Sequence, residues 1–228
     1  MDKKIALVTG ASSGIGRDMA RELAQKGYNL ILVARDKQRL EELKNEFKVE
    51  VTIFAIDLSN PENCKQLYEQ VKNKFGNIDI LINNAGFGEF GFFTETNLEK
   101  EINLINTNIT AVHILTKLFL KDMKKINKGN ILNVSSIAGF LPGPLMAAYY
   151  SSKSYVLRLS QSIREELKKQ KSNVKISVLC PGPVNTNFNN IAGVKFGLPS
   201  FTSEYVAKYT IKRMLKNNFL IIPGLTIK

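Results

Sequence analysis

The chain has 228 residues, of which 44% are hydrophobic and 23% charged, with a formal net charge of +12 and two cysteines, Cys64 and Cys180. That length is expected to form a single domain over residues 1–228 with an ample core, and two cysteines exclude a disulfide framework and fit thiols in a reducing, cytoplasmic compartment. The positive charge does not point to nucleic acid: Lys is spread through helical stretches beside Glu, as at 41–44 and 165–169, and no stacking aromatics interleave even the densest patch, Lys121, Lys124, Lys125 and Lys128.

The first apolar run, 5–8, leads directly into Thr9-Gly10-Ala11-Ser12-Ser13-Gly14-Ile15-Gly16. Beyond it, Met19, Ala20, Leu23 and Ala24 recur at helical spacing across 17–26. A strand, a Gly-rich turn and a helix start together make an anion site. Glycines admit the backbone close to a pyrophosphate, and the helix start offers free N–H groups and a positive dipole end. The spacing is Gly-x-x-x-Gly-x-Gly, not the commoner G-x-G-x-x-G, and the competing reading is a loop that needs glycine only for positive φ.

The second run, 29–33, is followed by Ala34-Arg35-Asp36. An acidic residue there would grip a ribose 2′-hydroxyl, whereas arginine suits a 2′-phosphate. Ala34 stands where the acid is expected and Arg35 follows, so NADP(H) is preferred over NAD(H). Asp36 is read as the cap of a helix over 37–47. A third run, 51–56, precedes Asp57, Leu58 and a capping box, Ser59-Asn60-Pro61-Glu62, that opens a helix through Phe75.

Further apolar runs fall at 78–82, 130–134, 176–180 and 219–222, separated by helical stretches that include 104–119 and 150–169. This alternation predicts an α/β chain with a doubly wound, Rossmann-type, seven-stranded parallel sheet and helices on both faces. The N-terminus enters the first strand within a few residues, so no signal peptide fits. No apolar run approaches the ~20 residues of a membrane span.

The chemistry concentrates at Tyr149-Tyr150-Ser151-Ser152-Lys153. Residues four apart on a helix share a face, which sets Lys153 beside Tyr149. An ammonium favours the phenolate, and bringing a phenol from ~10 to about 7 takes roughly 4 kcal/mol. One charge at ~4 Å in an effective dielectric of ~20 supplies about that much, so the pair is expected to move protons near neutral pH.

Thr9–Gly16, Asn83-Asn84-Ala85-Gly86, Asn108, Ser136, Tyr149 with Lys153, and Pro181-Gly182 occur in order and at intervals that resemble the short-chain dehydrogenase/reductase family, over Lys4 to about Gly224. Family spacing puts the catalytic Ser 13 residues before its Tyr and the Asn about 28 before that Ser. Those intervals select Ser136 over Ser135 and Tyr149 over Tyr150. The resemblance implies a catalytic set of Asn108, Ser136, Tyr149 and Lys153, in which Tyr149 is general acid/base, Ser136 orients the carbonyl oxygen, Lys153 also binds the nicotinamide ribose, and Asn108 holds a relay water.

Cofactor contacts are expected at Gly10, Ser12, Ser13, Gly14, Ile15, Gly16, Arg35, Asp57, Leu58, Asn84, Ala85, Gly86, Tyr149, Lys153, Pro181, Gly182, Val184 and Thr186. Asp57 would meet the adenine amino group, or merely cap a helix. Asn83 or Asn84 would only brace the sheet in the blander reading. No metal site is expected. The activity implied is NADPH-dependent interconversion of a carbonyl and an alcohol by hydride transfer, with a 3-oxoacyl-thioester reductase as the rival substrate class and a non-catalytic NADP(H) sensor or scaffold as the rival function.

An apolar substrate pocket is expected from Phe87, Phe90, Phe92, Phe93, Phe140, Leu141, Leu145, Met146, Phe188, Phe196 and Phe201. Residues 187–203, with Gly193, Gly197 and Pro199, are read as a lid over it. Many members of the family continue past the point where this chain stops, so a short or missing C-terminal segment would leave the pocket open at one side. The lone His113 is read as structural or surface. The resemblance also implies a homodimer or homotetramer formed through helices 103–119 and 150–169.

Overall fold

A computed structural model describes residues 4–188, 192, 193 and 200–224. The expected pocket residue Phe196, and Gly197 and Pro199 of the expected lid, lie outside the described residues. The elements run β1 (Ile5–Thr9), α1 (Gly14–Gln25), β2 (Asn29–Ala34), α2 (Lys37–Asn45), β3 (Val51–Ala55), α3 (Pro61–Phe75), β4 (Ile80–Asn83), α4 (Leu98–Ile105), α5 (Val112–Ile126), β5 (Asn130–Val134) and α6 (Ala147–Lys169), then β6 (Lys175–Leu179), β7 (Val184–Asn185), β8 (Phe201–Thr202), α7 (Ser203–Met214) and β9 (Leu220–Ile221).

Seven strands pair in parallel in the order β3-β2-β1-β4-β5-β6-β9. The strands carry apolar side chains on both faces, and their period of two divides those side chains between two cores. Ala6, Val8, Leu30, Leu32, Ile80 and Ile82 face Met19 and Leu23 of α1, Leu40 of α2 and Val206 and Ile211 of α7. Leu7, Ile31, Val33, Leu81 and Ile131 face Leu67 and Val71 of α3, Leu115 and Phe119 of α5 and Leu167 of α6. Burying each such Leu or Ile contributes about 1.5–3 kcal/mol, so both faces of the sheet are closed by helices.

Several boundaries differ from the sequence reading for local reasons. Asn60, not Ser59, caps α3, accepting from Glu62 N at 2.9 Å. Asp36 does cap α2, accepting from Arg39 N at 3.0 Å, but the helix stops at Asn45 instead of residue 47. The expected helix 104–119 is a longer helical column from Leu98 to Ile126, interrupted by a π turn at Asn106–Ala111. A π turn inserts one residue into a helix, and such turns gather at functional positions; Asn108 sits inside this one.

Candidate active site

Strand order reverses between β1 and β4, and open parallel sheets leave a crevice beyond the carboxyl ends of the strands at that point. The crevice is stitched by side chains. Asn84 N and Ala85 N both donate to Thr9 Oγ1, at 2.9 and 3.0 Å, and Asn84 Nδ2 donates to the carbonyls of Thr9 and Gly10 at 3.1 and 3.2 Å. Asn83 points into the sheet, its Nδ2 donating to Thr116 Oγ1 and Asn133 Oδ1. Asn83 braces the sheet, whereas Asn84 braces the β1–β4 junction and also lines the cavity.

The Gly-rich turn ends in α1, whose first turn contains no acidic residue and whose cap residue, Ser13, makes no side-chain bond to it. The leading N–H groups are thus left for a ligand, and they suit an anion. Gly16 packs behind the turn. It does not line the cavity; a Cβ there would collide with the Gly10 carbonyl oxygen and with Asn84 Nδ2. Gly16 is required so that the turn can close on the β4 end.

Past the end of β2 the crevice is lined by Arg35, Asp36 and Arg39, and past the end of β3 by Asp57 and Leu58. Arg35 is exposed, and Arg39 Nε lies 3.3 Å from Asp36 Oδ2. Asp57 Oδ1 accepts from Ser59 N at 2.9 Å, so it caps the turn before α3 while also lining the cavity.

At the other end, β5 delivers Ser135 and Ser136, and α6 delivers Tyr149 and Lys153. Ser135 Oγ donates to the Lys153 carbonyl at 2.7 Å and so fixes α6 against β5. Ser136 begins a short 3-10 turn and its Oγ accepts from Ala138 N at 3.1 Å, leaving the hydroxyl at the cavity wall. Lys153 is buried, with Nζ donating to the Val134 carbonyl at 3.1 Å and standing 5.6 Å from the centre of the Tyr149 ring. Asn108 does not line the cavity. Its amide donates to Phe87 O at 2.9 Å and to Ser152 Oγ at 3.0 Å, while its Oδ1 accepts from Phe87 N at 3.1 Å.

The electrostatics also correct the expected pairing. Removal from water pushes the Tyr149 phenol up to about 12, with a hydrogen bond from Ser136 pulling the other way. The same cause lowers the Lys153 ammonium to about 8, against a small upward push from Cys180. Burial is the largest cause at Tyr149 and Lys153 is not among the groups that shift it; one N–H of Lys153 is bonded to Val134 O, and its Nζ stands 5.6 Å from the ring centre.

One cavity of about 710 Å³ joins both ends. Among the residues singled out from the sequence, it is lined by Gly10, Ser12, Ser13, Gly14, Ile15, Arg35, Asp57, Leu58, Asn84, Ala85, Gly86, Ser136, Tyr149, Lys153, Pro181, Gly182, Val184 and Thr186. Pro183, from the same Pro181-Gly182-Pro183-Val184-Asn185-Thr186 stretch, lines it too, as do Arg39, Thr107 and Ile137, which had no distinguishing signal, although Arg39 lies four residues past Arg35, in the first turn of α2.

Of the expected aromatic and apolar pocket residues, Phe87, Met146 and Phe188 line the cavity, and the Phe188 ring is 5.3 Å from that of Tyr149. Phe90, Phe92, Phe93, Phe140, Leu141 and Phe201 are exposed and outside it, and Phe201 stacks on Tyr205 instead. Leu145 is also outside, in a left-handed turn at φ 65.

His113 lies on the surface, 2.7 Å from Tyr155 Oη. Both cysteines are buried free thiols. Among the described residues no cluster of His, Cys, Asp and Glu could hold a metal, and no helix is long and apolar enough to cross a membrane.

A family model described as short chain dehydrogenase matches residues 4–193. The 3-oxoacyl-[acyl-carrier-protein] reductase of Haemophilus influenzae is 32% identical over 206 residues, covering 88% of this chain and 84% of that protein. The structure of a short-chain dehydrogenase from Sphingobium yanoikuyae in complex with NADPH superposes with a TM-score of 0.90 at 31% identity, covering 98% of this chain and 89% of that one. A short chain dehydrogenase/reductase from Burkholderia phymatum in complex with NAD gives a TM-score of 0.89 at 26% identity, with 98% and 89% coverage.

Proposed function

This chain belongs to the short-chain dehydrogenase/reductase family, and we propose that it is an NADP(H)-preferring oxidoreductase that interconverts a carbonyl and an alcohol on a hydrophobic substrate. The observation that carries this reading is a single cavity lined at one end by Arg35 and Arg39 and at the other by Ser136, Tyr149 and Lys153. The residues present fit a dinucleotide. Uncapped N–H groups at α1 suit the pyrophosphate, two arginines suit a 2′-phosphate, and Pro181, Gly182, Val184 and Thr186, which line the cavity beside Tyr149 and Lys153, would hold the nicotinamide.

The bound cofactor supplies or accepts a hydride at the substrate carbon. In the reductive direction the carbonyl oxygen gains negative charge and needs both a donor and a proton. The Ser136 hydroxyl donates a hydrogen bond to that oxygen, and the Tyr149 hydroxyl gives it the proton. A phenol held at about 12 keeps its proton at neutral pH, and it still gives it readily to an alkoxide, which is a far stronger base. Lys153 provides the positive charge that stabilises the phenolate left behind and binds ribose hydroxyls. Asn108 holds the Phe87 backbone and the π turn against α6, and would hold a water that relays protons from solvent to Lys153.

The apolar wall of Phe87, Met146 and Phe188 favours a hydrophobic ketone or aldehyde. A 3-oxoacyl thioester is the second candidate, supported by the likeness to the Haemophilus influenzae reductase and by the net charge of +12, which favours an anionic carrier. We read the chain as one domain that pairs into a homodimer or homotetramer. Support comes from Leu98, Ile102 and Ile105, which form an exposed apolar stripe on α4, and from exposed Tyr155 on α6. The two buried thiols suit a cytoplasmic, reducing setting.

The test is NADPH oxidation across ketones, aldehydes, steroids and 3-oxoacyl thioesters. Turnover on free hydrophobic ketones supports the first reading, and turnover confined to acyl thioesters supports the second. Tight NADPH binding with turnover on none of them would favour a sensor or scaffold.

A further inference from the structure

Asp18 lies on α1, one helical turn beyond the Gly-rich turn, and only 2% of it is exposed. Buried carboxylates survive only when their oxygens are bonded, and this one is surrounded. Its Oδ1 accepts from Arg17 Nε and Arg21 Nη1, each at 2.9 Å. Its Oδ2 accepts from Arg17 Nη2 at 3.2 Å and from Ser203 Oγ at 2.5 Å. The arginines are themselves anchored: Arg21 reaches both oxygens of Glu46 at 2.9 Å, and Arg17 lies 3.8 Å from Glu204. Burial works to raise the Asp18 carboxyl, but the bonds from Arg17 and Ser203 and the charges of both arginines hold it below the usual carboxylate range.

The bond to Ser203 joins segments 185 residues apart. Ser203 is the first residue of α7, and it follows β8 directly. β8 pairs with β7 in a two-residue parallel ladder, Val184 with Phe201 and Asn185 with Thr202, and Phe201 N donates to the Pro183 carbonyl at 3.1 Å. Pro183, Val184 and Thr186 line the cavity at the nicotinamide end. The same segment also touches the start of α1, since a Cβ at Gly14 would come within 3.1 Å of the Thr186 methyl group. A continuous path of polar bonds thus runs from the helix under the pyrophosphate site to the segment around the nicotinamide.

We propose that Asp18 is a positioning residue which, through Ser203 and the β7–β8 ladder, holds residues 183–186 in place for the nicotinamide half of the dinucleotide. The inference rests on the reading above that the cavity takes NADP(H). A segment held in its bound position need not be ordered on binding, so affinity is gained by preorganisation. Arg35 and Arg39, which would hold the 2′-phosphate of the adenosine half, lie outside 183–186 and outside the path, so a ligand carrying only that half should depend on the path far less than the whole dinucleotide.

The test compares two ligands, NADPH and the fragment 2′,5′-ADP, by fluorescence and calorimetry, on wild type, Ser203→Ala, Ser203→Thr and Asp18→Asn. Ser203→Ala is expected to weaken NADPH about tenfold, equivalent to about 1.4 kcal/mol, while 2′,5′-ADP changes by less than about twofold. Ser203→Thr, which keeps the hydroxyl, is expected to restore NADPH affinity, and Asp18→Asn to follow Ser203→Ala.

Equal weakening of both ligands would overturn the proposal, since it would mean that α1 itself had shifted. A fall in melting temperature with both affinities unchanged would also overturn it, leaving Asp18 a packing residue. If wild type binds 2′,5′-ADP but not NADPH, or neither, the cofactor reading falls and takes this one with it. Wild-type binding of both with unaltered variants overturns this inference alone.

Discussion

Asn108 holds the backbone of Phe87 from both sides, its amide donating to the Phe87 carbonyl at 2.9 Å and its carbonyl oxygen accepting the Phe87 N–H at 3.1 Å. A third bond, to Ser152 Oγ at 3.0 Å, ties this unit to α6, where Ser152 donates in turn to the Tyr149 carbonyl at 2.7 Å. Asn108→Ala leaves the half-buried Phe87 N–H and carbonyl without their partner, at a combined cost of about 2–3 kcal/mol. The expected result is a melting temperature lower by roughly 5–12 °C, together with lost turnover. Calorimetry and NADPH oxidation on the same sample check both; an unchanged melting temperature would remove the clamp from the account.

Lys153 makes stability depend on pH in an unusual direction. Burial lowers it from 10.5 to about 8, so between those values the unfolded chain binds more protons than the folded one. Stability contributed by this group therefore rises with pH from about 8 towards 10. Below pH 8 the buried ammonium costs about 3 kcal/mol, offset by about 1 kcal/mol for its bond to Val134. Lys153→Met is expected to gain about 2 kcal/mol at pH 7, to lose the rise above pH 8, and to be inactive. Urea melts at pH 7, 8, 9 and 10 on both proteins measure this.

Arg35 and Arg39 are expected to select the cofactor. Arg35→Ala removes a charged bond worth about 1.5–3 kcal/mol, and should lower kcat/KM for NADPH about ten- to hundredfold with NADH unaffected. Arg39→Ala is expected to act in the same direction but more weakly, because its guanidinium is shared with Asp36. Steady-state kinetics with both cofactors decide it, and equal losses for NADH and NADPH would show that neither residue reads the 2′-phosphate.

Gly16→Ala tests the turn without touching the cavity wall. The added Cβ meets the Gly10 carbonyl oxygen and Asn84 Nδ2, so the turn must open at the β1–β4 junction. NADPH binding is expected to be lost while far-ultraviolet circular dichroism keeps the wild-type helix signal. Retained binding would mean that the junction is softer than its bonds suggest.

Much of the fold is legible in the sequence because strands buried on both faces read as short continuous apolar runs. Residues 5–8, 29–33 and 130–134 fall within β1, β2 and β5, and the alternation with helices forces a parallel sheet. The π turn at Asn106–Ala111 was not legible, since the segments on either side keep helical spacing and no residue type in 106–111 marks the change. Nor was the fate of Phe90, Phe92 and Phe93: an aromatic residue after β4 is equally compatible with a pocket wall and an exposed loop, and tertiary contacts alone decide. Asp18 gave no signal for a related reason, because its partner Ser203 is far away in the chain. The Tyr149–Lys153 face was legible from a four-residue interval, but the sign of the Tyr149 shift depends on burial, which spacing does not encode.

The most direct test of the central claim is single-turnover NADPH oxidation by wild type and Tyr149→Phe on a hydrophobic ketone, with NADPH affinity measured on the same samples. The account predicts equal affinity and a rate lower by about 10²–10⁴-fold in the variant, the usual contribution of a positioned general acid. An unchanged rate in Tyr149→Phe, with cofactor bound as tightly as in wild type, would contradict it.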